Sequence, residues 1–175
     1  DALRMANHTR VYHTKPTYQT VLDAVTKQFH SGEGAIQFAP EAIARSNADI
    51  LKDDELRKEF IEIYSEQGKD EARNWINSSY GPFSEEELDH RMSRYGLNPC
   101  GEILGNDFHC NLAEVHLNQI DPENLEEQKK AFKAAALSVA CLLNHEFEVE
   151  RYRKSREYDP IVGVSFTGLF DFCVH

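Results

Sequence analysis

The chain has 175 residues, of which 19 are Lys or Arg and 30 are Asp or Glu, so its formal net charge at neutral pH is −11. A hydrophobic share of 41% argues against disorder, and the length suits one ordinary domain or a part of a larger one. The acidic balance argues against an electrostatically driven nucleic-acid binder, because such proteins need clustered basic side chains to displace phosphate counterions.

Neither targeting nor membrane segments are visible in the sequence. The first twelve residues contain no apolar segment typical of a secretory signal, and no run of about 18 apolar residues predicts a transmembrane helix. We therefore expect a cytoplasmic protein without a membrane partner. The chain lacks an initiator Met and ends just after the apolar stretch 161–172, so we expect both ends to continue in a longer protein.

The first half of the chain predicts one strand followed by helices. Residues 4–14 alternate loosely, as in a strand, and Pro16 precedes a helix over 17–30 that ends in the glycine-containing segment 31–34. Further helices are predicted over 40–51, from an Asp53 cap to Gly68, over 69–78, and from the capping box Ser84–Glu87 to near Gly96. Two apolar stripes are predicted to be buried, formed by Val21, Leu22, Val25 and Phe29, and by Leu56, Phe60, Ile61 and Tyr64.

The second half predicts an aperiodic loop and then alternating strands and helices. The loop covers 97–103, a strand covers 111–119, and a long helix runs from Asp121-Pro122 to about Glu146, with a basic run at 151–156 at its end. A buried strand over 161–166 follows, and Gly168 begins a turn into a last helix. This order indicates an α/β fold.

The four cysteines differ in their surroundings. They are too widely spaced for a secreted disulfide scaffold and form no C-x-x-C pair typical of zinc sites. Cys141 and Cys173 fall on apolar helical surfaces, where we expect them to be packed as small apolar groups. Cys100 lies in the aperiodic loop, and Cys110 follows ten residues later.

The pattern Asn98-x-Cys100-x-Glu102 is the strongest candidate for chemistry. In an extended loop, alternating side chains project to one side, so an amide, a thiol and a carboxylate could share one substrate. The thiol can act as a nucleophile or exchange a hydrogen atom in radical chemistry, and the carboxylate can act as a general base. Cys110 could reach the same pocket if the loop folds back. A pattern this short can also arise by chance.

Two other motifs favour structural roles. His109 lies beside Cys110 and seven residues before His116, but one Cys and two His lack a fourth ligand, so a structural role is favoured over metal binding. Gly163 and Gly168 lie between a strand and a helix without the Lys-Ser/Thr of a phosphate loop, which favours close strand–helix packing.

A longer segment around the Cys100 loop resembles a known family. The run NPCGEILGNDFHCNLAEVHLN, from Asn98 to Asn118, resembles the finger-loop region of ribonucleotide reductases, above all the adenosylcobalamin-dependent (class II) branch. The blocks NHTRV at 7–11, SGEGAI at 31–36, RSNAD at 45–49 and GVSFTG at 163–168 resemble neighbouring blocks of that family. The resemblance covers essentially the whole chain.

The resemblance implies a fold and a role for each matched residue. The fold would be a ten-stranded α/β barrel, with residues 1–175 as a central fragment and a finger loop over about 97–111. Cys100 would carry the thiyl radical that removes hydrogen from C3′ of the ribose, and Glu102 would take the proton of the 3′-hydroxyl. Asn98, with Gly101 beside it, would bind the substrate, and Cys110 would be one member of the reducing cysteine pair.

The same resemblance implies a cofactor and partners. These are adenosylcobalamin as the radical source, a ribonucleotide substrate, a deoxynucleotide effector of the parent enzyme and a thioredoxin-like reductant. No cysteine precedes Cys100, so the second reducing cysteine would lie outside this chain. Segments for substrate phosphates and for electron relay are also absent from the sequence, so activity of this chain alone is not expected. Residues that contact cobalamin are not assigned.

Two alternatives stay open. An iron-dependent (class I) reductase would use the same loop but take its radical from a partner subunit; the short interval from Cys100 to Cys110 favours the cobalamin branch. The chain could instead be an acidic helical module that docks a partner and has incidental cysteines. A cysteine on a preceding strand of the parent protein would distinguish these hypotheses.

Overall fold

The structure is a computed structural model that describes residues 8–98 and 100–174, and it forms two compact units, Asp1–Asn106 and Asp107–His175. The prediction of a mixed α/β fold is confirmed, with short strands and a majority of helix. In chain order the elements are β1 Thr9–Tyr12, α1 Tyr18–Ser31, β2 Ala35–Phe38, α2 Ala39–Ser46, α3 Asp54–Gln67, α4 Lys69–Tyr80, α5 Glu85–Ser93, β3 Gly96–Leu97, β4 Leu104–Gly105, β5 Asn111–His116, a 3₁₀ turn Leu117–Gln119, α6 Leu125–Leu142, α7 Glu150–Tyr158, β6 Val162–Thr167 and α8 Leu169–Val174.

The first unit begins with a parallel strand pair joined by a crossover helix. β1 and β2 pair from Thr9↔Ala35 to Tyr12↔Phe38, with α1 between them in sequence. The Thr17 hydroxyl caps α1 by accepting a hydrogen bond from the backbone N–H of Thr20. Gly32, at φ +74°, ends the helix as predicted. Residues 4–7 of the predicted strand, like the first residue of the 7–11 block, lie outside the described residues.

Helices α2 to α5 form the hydrophobic core of this unit. The Asp53 carboxylate accepts hydrogen bonds from the N–H groups of Glu55 and Leu56, which confirms the predicted cap of α3. Ser84 caps α5 in the same way, accepting from the N–H of Glu87 at 3.1 Å. The core consists of the buried residues Ile43, Ala44, Leu51, Phe60, Tyr64, Ala72, Ile76, Leu88 and Met92. The stripe predicted on α3 therefore faces this core.

A buried polar group connects α2 to α5. Asn47 is fully buried, and its side-chain amide donates to the carbonyls of Ile43 and Arg91 at 2.9 and 3.1 Å. The Arg91 guanidinium donates to the Asn47 side-chain oxygen and holds the Asp49 carboxylate with two hydrogen bonds of 2.9 and 3.1 Å. α2 therefore ends at Ser46, rather than continuing to residue 51 as predicted, because Asn47 leads the chain into a turn.

The second unit contains another parallel strand pair with helical crossovers. β5 and β6 pair from Asn111↔Val162 to His116↔Thr167. The alternation predicted for β5 is confirmed, because Leu112, Glu114 and His116 are exposed while Val115 is buried. The predicted long helix ends at Leu142, and the basic run that was predicted at its end lies on a separate helix, α7.

The cap of α6 also differs from the prediction. Asn124, not Asp121, accepts the capping hydrogen bond, from the N–H of Glu127 at 3.1 Å. Asp121 accepts from the N–H of Glu123 at 2.9 Å, which forms a turn before the helix.

Several surfaces predicted to be buried are exposed. Phe29 on α1 is 83% exposed, and Leu22 and Val25 beside it are also exposed. The strand β6 is exposed at Val162 and Phe166. An apolar pattern identifies which face can be buried, whereas burial itself requires a surface to pack against it.

Both cysteines predicted to be packed on helical surfaces are exposed. Cys141 lies on α6 and Cys173 on α8, and the structure exposes each of them. The apolar residues around them led the sequence prediction to burial, but those helical faces are not covered within the described part of the chain.

Candidate functional site

The Asn98–Glu102 motif lies at the tip of a short β-hairpin. β3 and β4 pair in antiparallel fashion, Gly96 with Gly105 and Leu97 with Leu104, and the intervening residues form the tip. The N–H of Gly101 donates to the carbonyl of Asn98 at 3.0 Å and closes a turn. Gly101 has φ +78°, a conformation that residues with a Cβ rarely adopt. Pro99 lies outside the described residues.

The side chain of Asn98 organises the tip. Its amide donates to the Glu102 carboxylate, and its oxygen accepts from the N–H of Ile103 at 3.1 Å. The sequence predicted that the motif residues would face one side of an extended loop. The segment is a turn instead, and the turn brings Asn98 and Glu102 into contact.

The reactive groups of the tip face solvent on this unit. Cys100 and Glu102 are exposed, and the Cys100 side chain carries a thiol rather than a disulfide. A thiol can donate a hydrogen atom, and a carboxylate that an amide orients can accept a proton. The exposure of the thiol leaves it accessible to a substrate or a radical source.

Cys110 belongs to the second unit, immediately before β5. Its side chain is half-buried and carries a thiol. The predicted loop 97–111 thus contributes residues 97–106 to the first unit and 107–111 to the second. The expectation that Cys110 and Cys100 share a pocket stays a prediction.

An aromatic cluster surrounds His109, the residue before Cys110. The His109 ring stacks on Phe147 with centroids 4.3 Å apart and meets the edge of Tyr152 at 5.1 Å. The Arg156 guanidinium lies 5.0 Å from the centre of the Phe147 ring. His109 therefore has a packing role that ties the start of β5 to the segment between α6 and α7. Within residues 8–98 and 100–174, no group of three or more His, Cys, Asp or Glu side chains is arranged to hold a metal ion.

The glycines of the GVSFTG block lie at close approaches, but to the neighbouring strand β5 and to the 3₁₀ turn rather than between a strand and a helix as predicted. A Cβ at Gly163 would lie 3.1 Å from the Leu112 side chain, on the neighbouring strand. A Cβ at Gly168 would lie 2.8–2.9 Å from the Asn118 side chain, and Gly168 also has φ +73°. Position 168 therefore favours glycine through both its φ and its close approach, whereas a Cβ at Gly163 would require only a small shift of the Leu112 side chain.

The base of the hairpin contains residues that the sequence analysis did not identify. The Gln37 side chain on β2 is buried and donates to the backbone carbonyl of Tyr95, the residue before β3. The Arg94 guanidinium donates to the carbonyl of Ser46. A polar residue inside a short apolar strand was the only available signal for Gln37, and it does not indicate a partner 58 residues away.

A cleft of about 270 Å³ lies at the first residues of the parallel strands β1 and β2. Its lining includes Thr9, Ala35 and Leu97 from three strands, together with the glycines that follow α1. None of the motif residues Asn98, Cys100 or Glu102 lines it.

Among the described residues, no helix is both long enough and apolar enough to cross a bilayer. Comparison of the chain with models of protein families, with curated proteins and with solved structures found no match. The resemblance to ribonucleotide reductases therefore rests on the sequence blocks.

Proposed function

We propose that this chain contains the radical-bearing loop of an adenosylcobalamin-dependent ribonucleotide reductase. The observation that carries the proposal is the hairpin tip. There Asn98, two residues before the exposed Cys100, donates a hydrogen bond to the carboxylate of Glu102, two residues after it. This arrangement suits paired hydrogen-atom and proton transfer at one ribose. The parallel strand pairs with helical crossovers are compatible with a part of an α/β barrel.

The proposed reaction begins at Cys100. Adenosylcobalamin, when bound, would supply the radical that removes the hydrogen atom from the Cys100 thiol. The resulting sulfur radical takes the hydrogen atom from C3′ of the ribonucleotide, and Glu102 accepts the proton of the 3′-hydroxyl. Asn98 orients Glu102 and a ribose hydroxyl. The residues that would hold the cofactor are not assigned.

The reduction then requires two electrons and two protons. The 2′-hydroxyl leaves as water, and a pair of thiols becomes a disulfide as it supplies the electrons and protons. Cys110 is one member of this pair, and the other belongs to a part of the enzyme outside this chain. Glu102 returns the proton to the 3′-oxygen, and Cys100 returns its hydrogen atom to C3′, which regenerates the sulfur radical. A thioredoxin-like protein reduces the disulfide.

The test compares three substitutions in the complete natural protein that contains this segment, with adenosylcobalamin and a ribonucleotide present. Cys100→Ser should abolish both nucleotide reduction and cleavage of the cobalt–carbon bond, because an oxygen-centred radical is too unfavourable to form. Glu102→Gln should retain bond cleavage but lower reduction by about 10²- to 10⁴-fold, the contribution of a positioned general base. Cys141→Ser, an exposed cysteine on α6, is the matched control and should have wild-type activity.

Product analysis together with stopped-flow absorbance of the cobalamin distinguishes these outcomes. A Cys100→Ser variant that still reduces nucleotides would disprove the mechanism. Reduction that needs a second subunit in place of cobalamin would indicate the iron-dependent branch. A wild-type protein that reduces no ribonucleotide would favour the partner-docking alternative.

A further inference from the structure

The buried amide of Gln37 is unusual because only half of it is hydrogen-bonded within the described residues. Gln37 is 6% exposed; its Nε2 donates to the Tyr95 carbonyl, and its Oε1 is buried without a hydrogen-bond partner. Burial of an unpaired polar atom costs free energy, whereas an apolar side chain of similar size would avoid that cost. Core packing alone therefore does not account for glutamine here.

The partner of Gln37 lies where helix α5 leads into the hairpin. Tyr95 directly precedes β3, and its ring meets the edge of the His13 ring at a centroid distance of 5.1 Å. The preceding residue, Arg94, donates to the carbonyl of Ser46 at the end of α2. Two successive residues at the hairpin base are thus attached by polar contacts to β2 and α2.

The hairpin has little intrinsic means of fixing its own direction. Each of its strands has two residues, and an isolated two-stranded hairpin is only marginally stable in water. The hydrogen bonds of Asn98 order the tip internally, but they do not attach it to the parallel strands. Strand β4 packs against α2, and the polar contacts at the base add an attachment to β2.

We propose that Gln37 is a positioning residue for Cys100. By holding the Tyr95 carbonyl, Gln37 fixes the point beside β2 at which the chain passes from α5 into the hairpin, and hence the place where the hairpin tip presents the thiol. The catalytic consequence rests on the proposed function, because hydrogen-atom transfer requires the reacting atoms to be held at short distance. The anchoring itself does not depend on that function.

The test uses Gln37→Met in the complete natural protein. Methionine has a similar size but cannot donate, so the urea midpoint of unfolding should be unchanged while the hairpin loosens. Backbone amides of residues 96–105 should exchange with deuterium about 2- to 10-fold faster, and alkylation of Cys100 by iodoacetamide should change in rate. The kcat of nucleotide reduction should fall about 10- to 100-fold, with KM nearly unchanged.

Arg57→Met is the matched control. Arg57 is also a polar side chain with one buried unpartnered atom, and it donates to the Leu51 carbonyl at 2.8 Å, in the loop between α2 and α3. This variant should leave exchange in residues 96–105 unchanged. A second variant, Arg94→Met, removes the neighbouring anchor and should accelerate the same amides.

The possible outcomes separate the two proposals. Unchanged exchange over 96–105 in Gln37→Met overturns the positioning role, as does loss of cooperative folding, which would make Gln37 a structural residue. If Gln37→Met accelerates exchange but the wild-type protein reduces no nucleotide, the anchoring is supported and the proposed function is overturned. Faster exchange with a normal kcat overturns the claim that Gln37 positions Cys100 for the reaction.

Discussion

Asn98 donates a hydrogen bond from its side-chain amide to the carboxylate of Glu102, and the two residues lie two positions before and two positions after Cys100. The same Asn98 side chain accepts from the N–H of Ile103 at 3.1 Å. One amide thus fixes both the orientation of the carboxylate and the path of the backbone around the thiol.

If the proposed function holds, Asn98→Ala should lower nucleotide reduction by about 10²-fold in the complete protein, because Glu102 loses its orienting donor and misplacement on the ångström scale costs that much. Steady-state kinetics of product formation measure this effect. Asn144→Ala, an exposed amide after α6, serves as the control and should retain full activity. Equal activity of the two variants would contradict the assigned role of Asn98.

Asn47→Ala should destabilise the first unit by about 1–3 kcal/mol, because the Arg91 carbonyl loses its donor and the Arg91 guanidinium loses one of its acceptors. Urea unfolding followed by circular dichroism measures the change. Asn74→Ala, on an exposed position of α4, should alter stability by no more than about 0.5 kcal/mol. A small effect at Asn47 would mean that water replaces its contacts.

The ion pair of Asp49 and Arg91 predicts a pH dependence of stability. Burial raises the pKa of Asp49, but the hydrogen bonds and charge of Arg91 and the charge of Arg94 outweigh burial, so the pKa lies below its usual value. A carboxyl with a lower pKa in the folded state stabilises the fold above its unfolded pKa, about 4, and this contribution is lost as pH falls through the folded pKa.

Asp49→Asn should therefore destabilise the protein at neutral pH, and the difference from wild type should shrink below about pH 4. Urea unfolding at about pH 7, 5 and 3 tests this expectation. Glu62→Gln, at an exposed position of α3, is the control and should show a much smaller difference. A difference for Asp49→Asn that stays constant over this range would exclude the ion pair as its source.

Gly32 and Gly34 form a matched pair two residues apart. Both have positive φ, +74° and +94°, but a Cβ at Gly32 would meet no atom within 4 Å, whereas one at Gly34 would lie 2.3 Å from the Arg10 guanidinium. Gly32→Ala should lower the free energy of unfolding by about 1–2 kcal/mol through backbone strain. Gly34→Ala should lower the free energy of unfolding by about 1 kcal/mol more than Gly32→Ala, because Arg10 must give up its hydrogen bond to the Gly34 carbonyl. Equal unfolding free energies would show that Arg10 moves aside without loss.

The thiols should differ in reactivity towards an alkylating reagent. Cys100, Cys141 and Cys173 are exposed and Cys110 is half-buried, so the native chain should be labelled at Cys110 last. Mass spectrometry of the labelled peptides gives the order, and labelling in denaturant provides the reference in which burial plays no part. Early labelling of Cys110 would contradict the packing at the start of β5.

Local signals in the sequence predicted the elements well where a single interaction decides the structure. Asp53 is the nearest side chain able to cap α3, and it does so. Where two candidates compete, the sequence alone does not decide between them: Asp121 and Asn124 are three residues apart, and only Asn124 caps α6. The separate helix that carries the basic run was missed for a similar reason, because residues 143–149 contain no proline or glycine to mark the break after α6.

Contacts between distant residues could not be predicted from the sequence. The motif around Cys100 was identified from its residue types, but the turn that joins Asn98 to Glu102 depends on backbone hydrogen bonds that the residue pattern does not specify. The anchor from Gln37 to Tyr95 joins residues 58 positions apart. The exposure of Phe29 was also missed, because a stripe of apolar residues carries no information about its partner.

The register of the two parallel strand pairs has a consequence for folding kinetics. Paired residues are 26 positions apart in β1–β2 and 51 apart in β5–β6, because every parallel connection needs a crossover. Loop-closure entropy grows only with the logarithm of length, so the second pair costs about 0.6 kcal/mol more to close than the first. Helices α1 and α6, whose contacts are local, form on a faster timescale than either strand pair. We therefore expect helices to form before strands pair in both units, with the search for distant partner residues limiting the folding rate.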